Sequence, residues 1–475
     1  MKNLETLMGQ IIRRVNTNLR GFSIDTEPYL KNMVSIDQLA KFYGFYGIWS
    51  NNPICFQFNN SNLSGSYFLG RVHVDNSILY KCDIRGDELK HKGDTLEADG
   101  LTWEMEEDEK IWIKNSYLIK TLVHNFSHDI EKPELFLIKR SASAPYANIH
   151  GSPLEGCFLE PFSTVDLTTL KDCRVGAFTY LQMGELSHAD IESGKIWVKN
   201  GDVFDFQYNF PREILNTRYI AFEPEKGAMG MFIDFAEDRK IDFQRLYESV
   251  YLESPIEDVP PGASINRYSV WKGRNLISKN VYVSQRAFLE SSQLGEGANA
   301  QENCYIAYST LEGYNVTAHG ASIIYAHMEK KVFVGFNSFL WGKEDCKIHI
   351  GEECVVMPHT IIDPQEPIEI PARRLVWGLI RTQEDLKENT YSLDQLSRIS
   401  GELKLGNMTF TGEGSEFVNS FRHRIEHILE ANGAYFDGKN GVGHAQRGQD
   451  ISFNIVQPYS ESELKGMYPS IRIQP

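Results

Sequence analysis

Clusters of lysine and arginine are missing from this chain of 475 residues, in which 48 basic side chains stand against 64 acidic ones for a formal net charge of −16. A nucleic-acid backbone or an anionic membrane surface would be repelled by such a balance, so neither is an expected partner. Long apolar runs are missing too. No stretch approaches the roughly 18 residues that a membrane helix needs. The N-terminus, MKNLETLMGQIIRRVNTNLRG, interrupts its apolar residues with Glu5, Gln10 and Arg13-Arg14 and does not read as an export signal. A cytoplasmic location is expected. Seven cysteines occur without a C-x-x-C pair, which fits reduced thiols. There is no G-x-x-x-x-G-K-[ST] loop, no G-x-G-x-x-G leading from a strand into a helix, and no G-x-S-x-G elbow. Nucleotide cradles and Ser/His/Asp hydrolysis therefore lack their sequence marks.

What the chain does contain is a period of six. From Leu294 to Ile362 the units read Leu294-GEGAN, Ala300-QENCY, Ile306-AYST, Leu311-EGYNV, Thr317-AHGAS, Ile323-IYAH, Met328-EKKVF and Val334-GFNSF; after a looser stretch from Lys343 to His349 come Ile350-GEECV, Val356-MPHTI and Ile362. The units opening at Ile306 and Ile323 are each one residue short. Such a period belongs to a parallel β-helix, in which a short strand buries its apolar face only by stacking on the coil below. Three units make one triangular coil, so this stretch supplies roughly four coils. The fold class is mainly β, with Cys304 and Cys354 at inward positions.

The remaining organisation follows from changes in pattern. Residues 3 to 19 read as an amphipathic helix, and 35 to 48, opening on a Ser cap, as a second that ends at Gly47. Short strands with Asn, Gly and Asp corners recur over 56–87 and 154–198, which reads as an earlier β-helix segment interrupted by an insertion at about 95–150. Residues 201–265 hold five prolines, a helix-like piece at Phe243 to Val250 and the linker SPIEDVPPGAS. Near the C-terminus Ser415 is a candidate cap for a helix carrying Phe417, Phe421, Ile425, Ile428 and Leu429 up to Gly433. The expected divisions are 1–50, helical; 51–200, first coils; 201–265, insertion and linker; 266–380, the main ladder; and 381–475, helix and tail. The last forty residues, rich in Gly, Gln, Asn and Tyr, suit either an ordered tail or an arm bridging subunits.

Within residues 294 to 388 the runs NVTAHGASIIYAHMEKKVFVGFNSFLWG, IGEECVVMPHTIID and IEIPARRLVWGLIRTQEDLKE resemble the core of the gamma-class carbonic anhydrases, members of the hexapeptide-repeat left-handed β-helix superfamily. The match covers about a fifth of the chain. The resemblance implies a left-handed β-helix and a homotrimer. It also implies zinc held by three histidines, and there the sequence departs from the family. The family's N-x-Q-[DE]-x-x-x-x-H becomes Asn299-Ala300-Gln301-Glu302 with Ala307 at the histidine position, and its H-x-x-x-x-H becomes His319 with Ile324. Alanine and isoleucine have no lone pair to offer. A zinc site rebuilt from His319 and His327 is the alternative. The segment Ile84-Arg85-Gly86-Asp87-Glu88 resembles the family's R-x-D-E, where Arg85 and Asp87 would lie near a subunit contact; an Arg–Asp pair closing a coil corner accounts for it equally.

A ladder without its zinc ligands leaves acyl transfer, the other large occupation of hexapeptide proteins. There a histidine on a coil face takes a proton from a hydroxyl or amine as that group attacks an acyl thioester, a step that needs no metal. His319 and His327, both in Ala-His dipeptides, are the catalytic candidates, with Gln301, Glu302 and Tyr325 as substrate-binding candidates and acyl-CoA as co-substrate. Both histidines also suit corners bonded to neighbouring coils, and His349 and His359 read as turn or packing residues. His423-Arg-Ile-Glu426-His427 satisfies H-x-x-E-H, but Ile425 belongs to the apolar stripe of that helix. Trp341 and Trp377 are expected to cover coil ends or subunit contacts. Three functions stay open: a metal-independent acyltransferase acting on a small molecule, a carbonic-anhydrase-like zinc enzyme with altered ligands, and a non-catalytic β-helix scaffold.

Overall fold

The computed structural model describes residues 1–49, 54–98, 101–126, 135–443 and 451–474. The chain divides into two compact units. Met1–Lys195, Pro211–Asp238 and Ile451–Pro475 form the first; Ile196–Phe210 and Arg239–Asp450 form the second. The pieces expected at 201–265 and 381–475 are thus shared between the units rather than standing apart.

The second unit is a three-faced parallel β-helix. Its sheets begin at Ser264–Ile265, Val270–Lys272 and Leu276–Ile277 and contain eight, seven and six strands respectively. Residues that open the six-residue units stack on one another. Leu294, Leu311, Met328 and Ile350 make one inward column, Ile306, Ile323, Leu340 and Ile362 a second, and Ala300, Thr317, Val334 and Val356 a third. All twelve are 0% exposed. Burying each large aliphatic side chain is worth about 1.5–3 kcal/mol, which is what a two- or three-residue strand cannot collect alone. The short units at Ile306 and Ile323 set the coil length, because Thr310 pairs with His327 and Asn299 with Val316, a repeat of 17 residues. Left-handed residues turn the corners, among them Asn303, Tyr308, Tyr325 and Asn337.

The first unit repeats the architecture with a tighter coil. Ile149 pairs with Val165 and Val165 with Leu181, a repeat of 16 residues. The strands Lys110–Lys114, Tyr117–Ile119, Leu122–Phe126, Leu135–Lys139 and Asn148–His150 all pair in parallel with neighbouring coils. The insertion expected over 95–150 therefore shrinks to the antiparallel hairpin Thr95–Ala98/Leu101–Glu104 and its flanks. The charge that suggested an insertion lies on the outward positions of KIWIK, whose Ile111 and Ile113 are fully buried.

The helices modify these prisms. Lys2–Asn18 buries Leu4, Leu7, Met8, Ile11, Ile12 and Val15 against Ile78, Tyr80, Tyr117 and Phe158. The helix expected over 35–48 stops at Lys41: Ser35 Oγ caps it by accepting from Gln38 N–H at 3.3 Å, Phe42 turns extended, and Gly44–Ile48 is a strand. Aromatic pairing wins there, with Phe45 stacked on Tyr67 at 4.7 Å. The helix expected at Phe243 to Val250 runs from Lys240 to Glu248. The C-terminal helix is Gly414–Ala431, so Ser415 lies within it and Glu413 precedes it. Its Phe417 packs against Phe204, Phe206 and Phe410, and Trp377 meets Phe206 in the same cluster instead of covering a coil end. Of the tail, residues 444–450 lie outside the described set. Ser452–Val456 and Ile471–Ile473 pair antiparallel with Gly44–Ile48 and Phe56–Phe58 and so cover two sheet edges of the first unit.

Candidate functional site

On the third face of the second unit successive strands place side chains in an outward row. Gln293, Thr310, His327, His349 and Glu369 occupy equivalent positions of five neighbouring coils. Side chains so related stand about 4.8 Å apart along the sheet. The row lines an open groove of about 1030 Å³. One margin is the corner carrying Tyr308 and Tyr325, whose rings stack at 4.8 Å and 12°. The opposite end is built by extra residues: Ala326 pairs with Ile348, five residues beyond the regular repeat, and the loop so formed brings Glu344 and Lys347 to the groove.

His327 is the residue best placed for chemistry. Its Nε2 lies 2.9 Å from Glu312 Oε1. A carboxylate only accepts, so in the neutral ring Nε2 carries the hydrogen and Nδ1 the lone pair. The His349 ring lies 5.2 Å away, with Nε2 3.4 Å from Glu329 and Nδ1 3.7 Å from Glu369. Acidic groups dominate the surroundings, Arg274 and Lys347 being the lining cations. Tyr308 donates to Glu290 Oε1 at 2.7 Å; that bond, more than burial, raises its pKa and keeps it protonated.

The expected site residues separate. Tyr325 and His327 meet in the groove, whereas His319, Gln301 and Glu302 are not among its lining residues. His319 Nδ1 lies 2.7 Å from Glu302 Oε2, both side chains being 3% exposed, and Ser284 Oγ donates to the other carboxylate oxygen. Gln301 is buried, its N–H bonded to the Thr317 carbonyl at 3.1 Å. The rebuilt zinc site from His319 and His327 is accordingly not assembled. Nor do the family positions fit zinc, since Ala307 and Ile324 stack with Trp341 in an outward row that offers no metal donor. His349, read as a packing residue, is half-exposed in the groove; His359 is a buried corner with φ 60°. The loop at 343–347 hid the equivalence of His349 and His327 by displacing the period. Arg85 and Asp87 form a buried two-pronged ion pair at 2.6 and 3.1 Å within one strand. In H-x-x-E-H both histidines are exposed and Glu426 accepts from Tyr435 at 2.5 Å. Burial pushes the Cys304 thiol up and Cys354 to about 11, so neither is a nucleophile. No helix among the described residues is long and apolar enough to cross a membrane.

Comparison with known proteins adds two findings. Residues 101–224 match the family model "Hexapeptide repeat including loop". A crystal structure of a "putative acetyltransferase" from Desulfovibrio desulfuricans G20 is 48% identical, with a TM-score of 0.93, over 100% of this chain and 99% of that one. No curated protein matches.

Proposed function

This chain belongs to the hexapeptide-repeat β-helix family, and from that premise we propose that it is a metal-independent acyltransferase, using an acyl-CoA thioester and a small hydroxyl- or amine-bearing acceptor. The observation that carries the reading is His327, held by Glu312 at 2.9 Å on the floor of an open groove. The acceptor gives its proton to His327 Nδ1 as its oxygen or nitrogen attacks the thioester carbonyl. The C–S bond then breaks, the acyl group stays on the acceptor, and the departing thiolate takes up the proton. Glu312 orients the ring and stabilises the imidazolium formed in passing, and the Tyr308–Tyr325 pair offers a flat face to the substrate. The 48% identical structure described as a "putative acetyltransferase" supports acetyl as the group carried.

The test is acetyl-CoA turnover against a panel of hydroxyl and amine acceptors, read by thiol release. His327→Gln is expected to lower kcat by about 10²–10⁴-fold with the fold retained. Full activity in that variant, together with loss in His319→Gln, would move the chemistry to the buried His319–Glu302 pair. No turnover and no acetyl-CoA binding by calorimetry would leave the scaffold reading. The homotrimer implied by the family resemblance belongs to the same proposal, to be read from the sedimentation mass of the 54.3 kDa chain.

A further inference from the structure

The first unit carries a second row of polar side chains, unrelated to the groove. Arg85, His124, His150 and Asp166 occupy equivalent positions of four neighbouring coils, and all are buried. The His124 and His150 rings meet edge to face at 5.2 Å and 81°. Their ligand-type nitrogens lie within 4.8 Å of each other. His150 Nδ1 is 2.8 Å from Asp166 Oδ1, so its hydrogen is on Nδ1 and its lone pair on Nε2. Asp166 is fixed in turn by the Tyr180 hydroxyl, 2.5 Å from Oδ2. A carboxylate that orients an imidazole through the nitrogen not used for ligation is the usual support of a metal-binding histidine.

From this arrangement we infer that His124 and His150 bind a divalent cation of the zinc class, with Asp166 as the positioning residue for His150. Two imidazoles suit zinc, cobalt, nickel or copper and not magnesium or calcium. Charge is provided as well: Glu88 Oε2 lies 3.7 Å from His124 Nε2, and the neighbouring Arg85 guanidinium, which would oppose a dication, is engaged by Asp87. Water completes the coordination, since only nitrogens about 2.0–2.1 Å from the ion are required of the protein. Neither histidine stands at a position of the gamma-class motif.

The test uses the full chain, dialysed against chelator and titrated with cobalt(II), with visible absorption and elemental analysis as readouts. About one ion per chain is expected, with an imidazole-type spectrum lost in His124→Asn and in His150→Asn. Asp166→Asn should weaken binding about 10–100-fold while leaving stoichiometry intact. His188→Asn, a side chain 72% exposed on the same unit, should change nothing. Circular dichroism of each variant identifies any that fail to fold, and for those, competition of zinc for the cobalt spectrum of the unaltered chain replaces mutagenesis. Sub-stoichiometric cobalt in the unaltered chain would overturn the site, as would binding preserved in a folded His124→Asn/His150→Asn double variant.

Discussion

Gly70 shows how little room the coils leave at a single residue. It has φ +71°, and a Cβ there would lie 2.1 Å from the carbonyl oxygen of Gly86 on the next coil. Gly70→Ala is expected to cost roughly 2–5 kcal/mol, the sum of left-handed strain and overpacking, in a denaturant titration. Gly9, in the N-terminal helix with nothing within 4 Å, gives the opposite sign: Gly9→Ala should stabilise by about 0.5–1 kcal/mol. Histidines respond to pH at the same scale. Burial lowers the pKa of His73, and the nearby Lys110 lowers it further. The unfolded chain then binds the proton more readily, so stability present above pH ~6.5 is lost as pH falls through the folded value. His73→Phe should flatten that part of the stability profile, measured as midpoint against pH. Sequence alone singled out His327 and Tyr325 because they sit in the regular ladder. It passed over His124 and His150, whose strands had been assigned to an insertion on the strength of outward charge.

Among elements, the C-terminal helix Gly414–Ala431 depends most on one side chain. Phe417 touches Phe204, Phe206, Phe410 and Phe421, and Phe417→Ala is expected to cost about 3–5 kcal/mol in thermal or chemical unfolding. The groove itself should survive, since no residue of that helix lines it. This helix was legible from its apolar spacing, while its start was not: Ser415 looks like a cap, yet Gly414 comes within van der Waals reach of the Leu396 carbonyl and turns the chain earlier. The strand Gly44–Ile48 was hidden for a different reason. GFYGI has no alternation until its partner Tyr67–Gly70 is known, and long-range pairing decides what local propensity leaves open.

For the whole molecule, the six-residue period over 294–362 specified one prism completely, down to every inward residue. The other prism was half legible, its coils interrupted in the sequence by a hairpin and by paired strands whose charge faces outward. Both contain a coil repeat, but not the same one: 16 residues in the first unit and 17 in the second. That difference governs how such a chain can change in length. Side chains alternate between the two faces of a strand, so inserting one complete local repeat adds a storey and leaves every other storey as it was, whereas a repeat borrowed from the other unit slips the register by one and turns apolar side chains outward. Growth and recombination are therefore quantised, and the two prisms are mutually unreadable as donors. A tandem duplication of residues 299–315 should fold and a chimera carrying residues 149–164 in their place should not, a contrast that expression and circular dichroism would record.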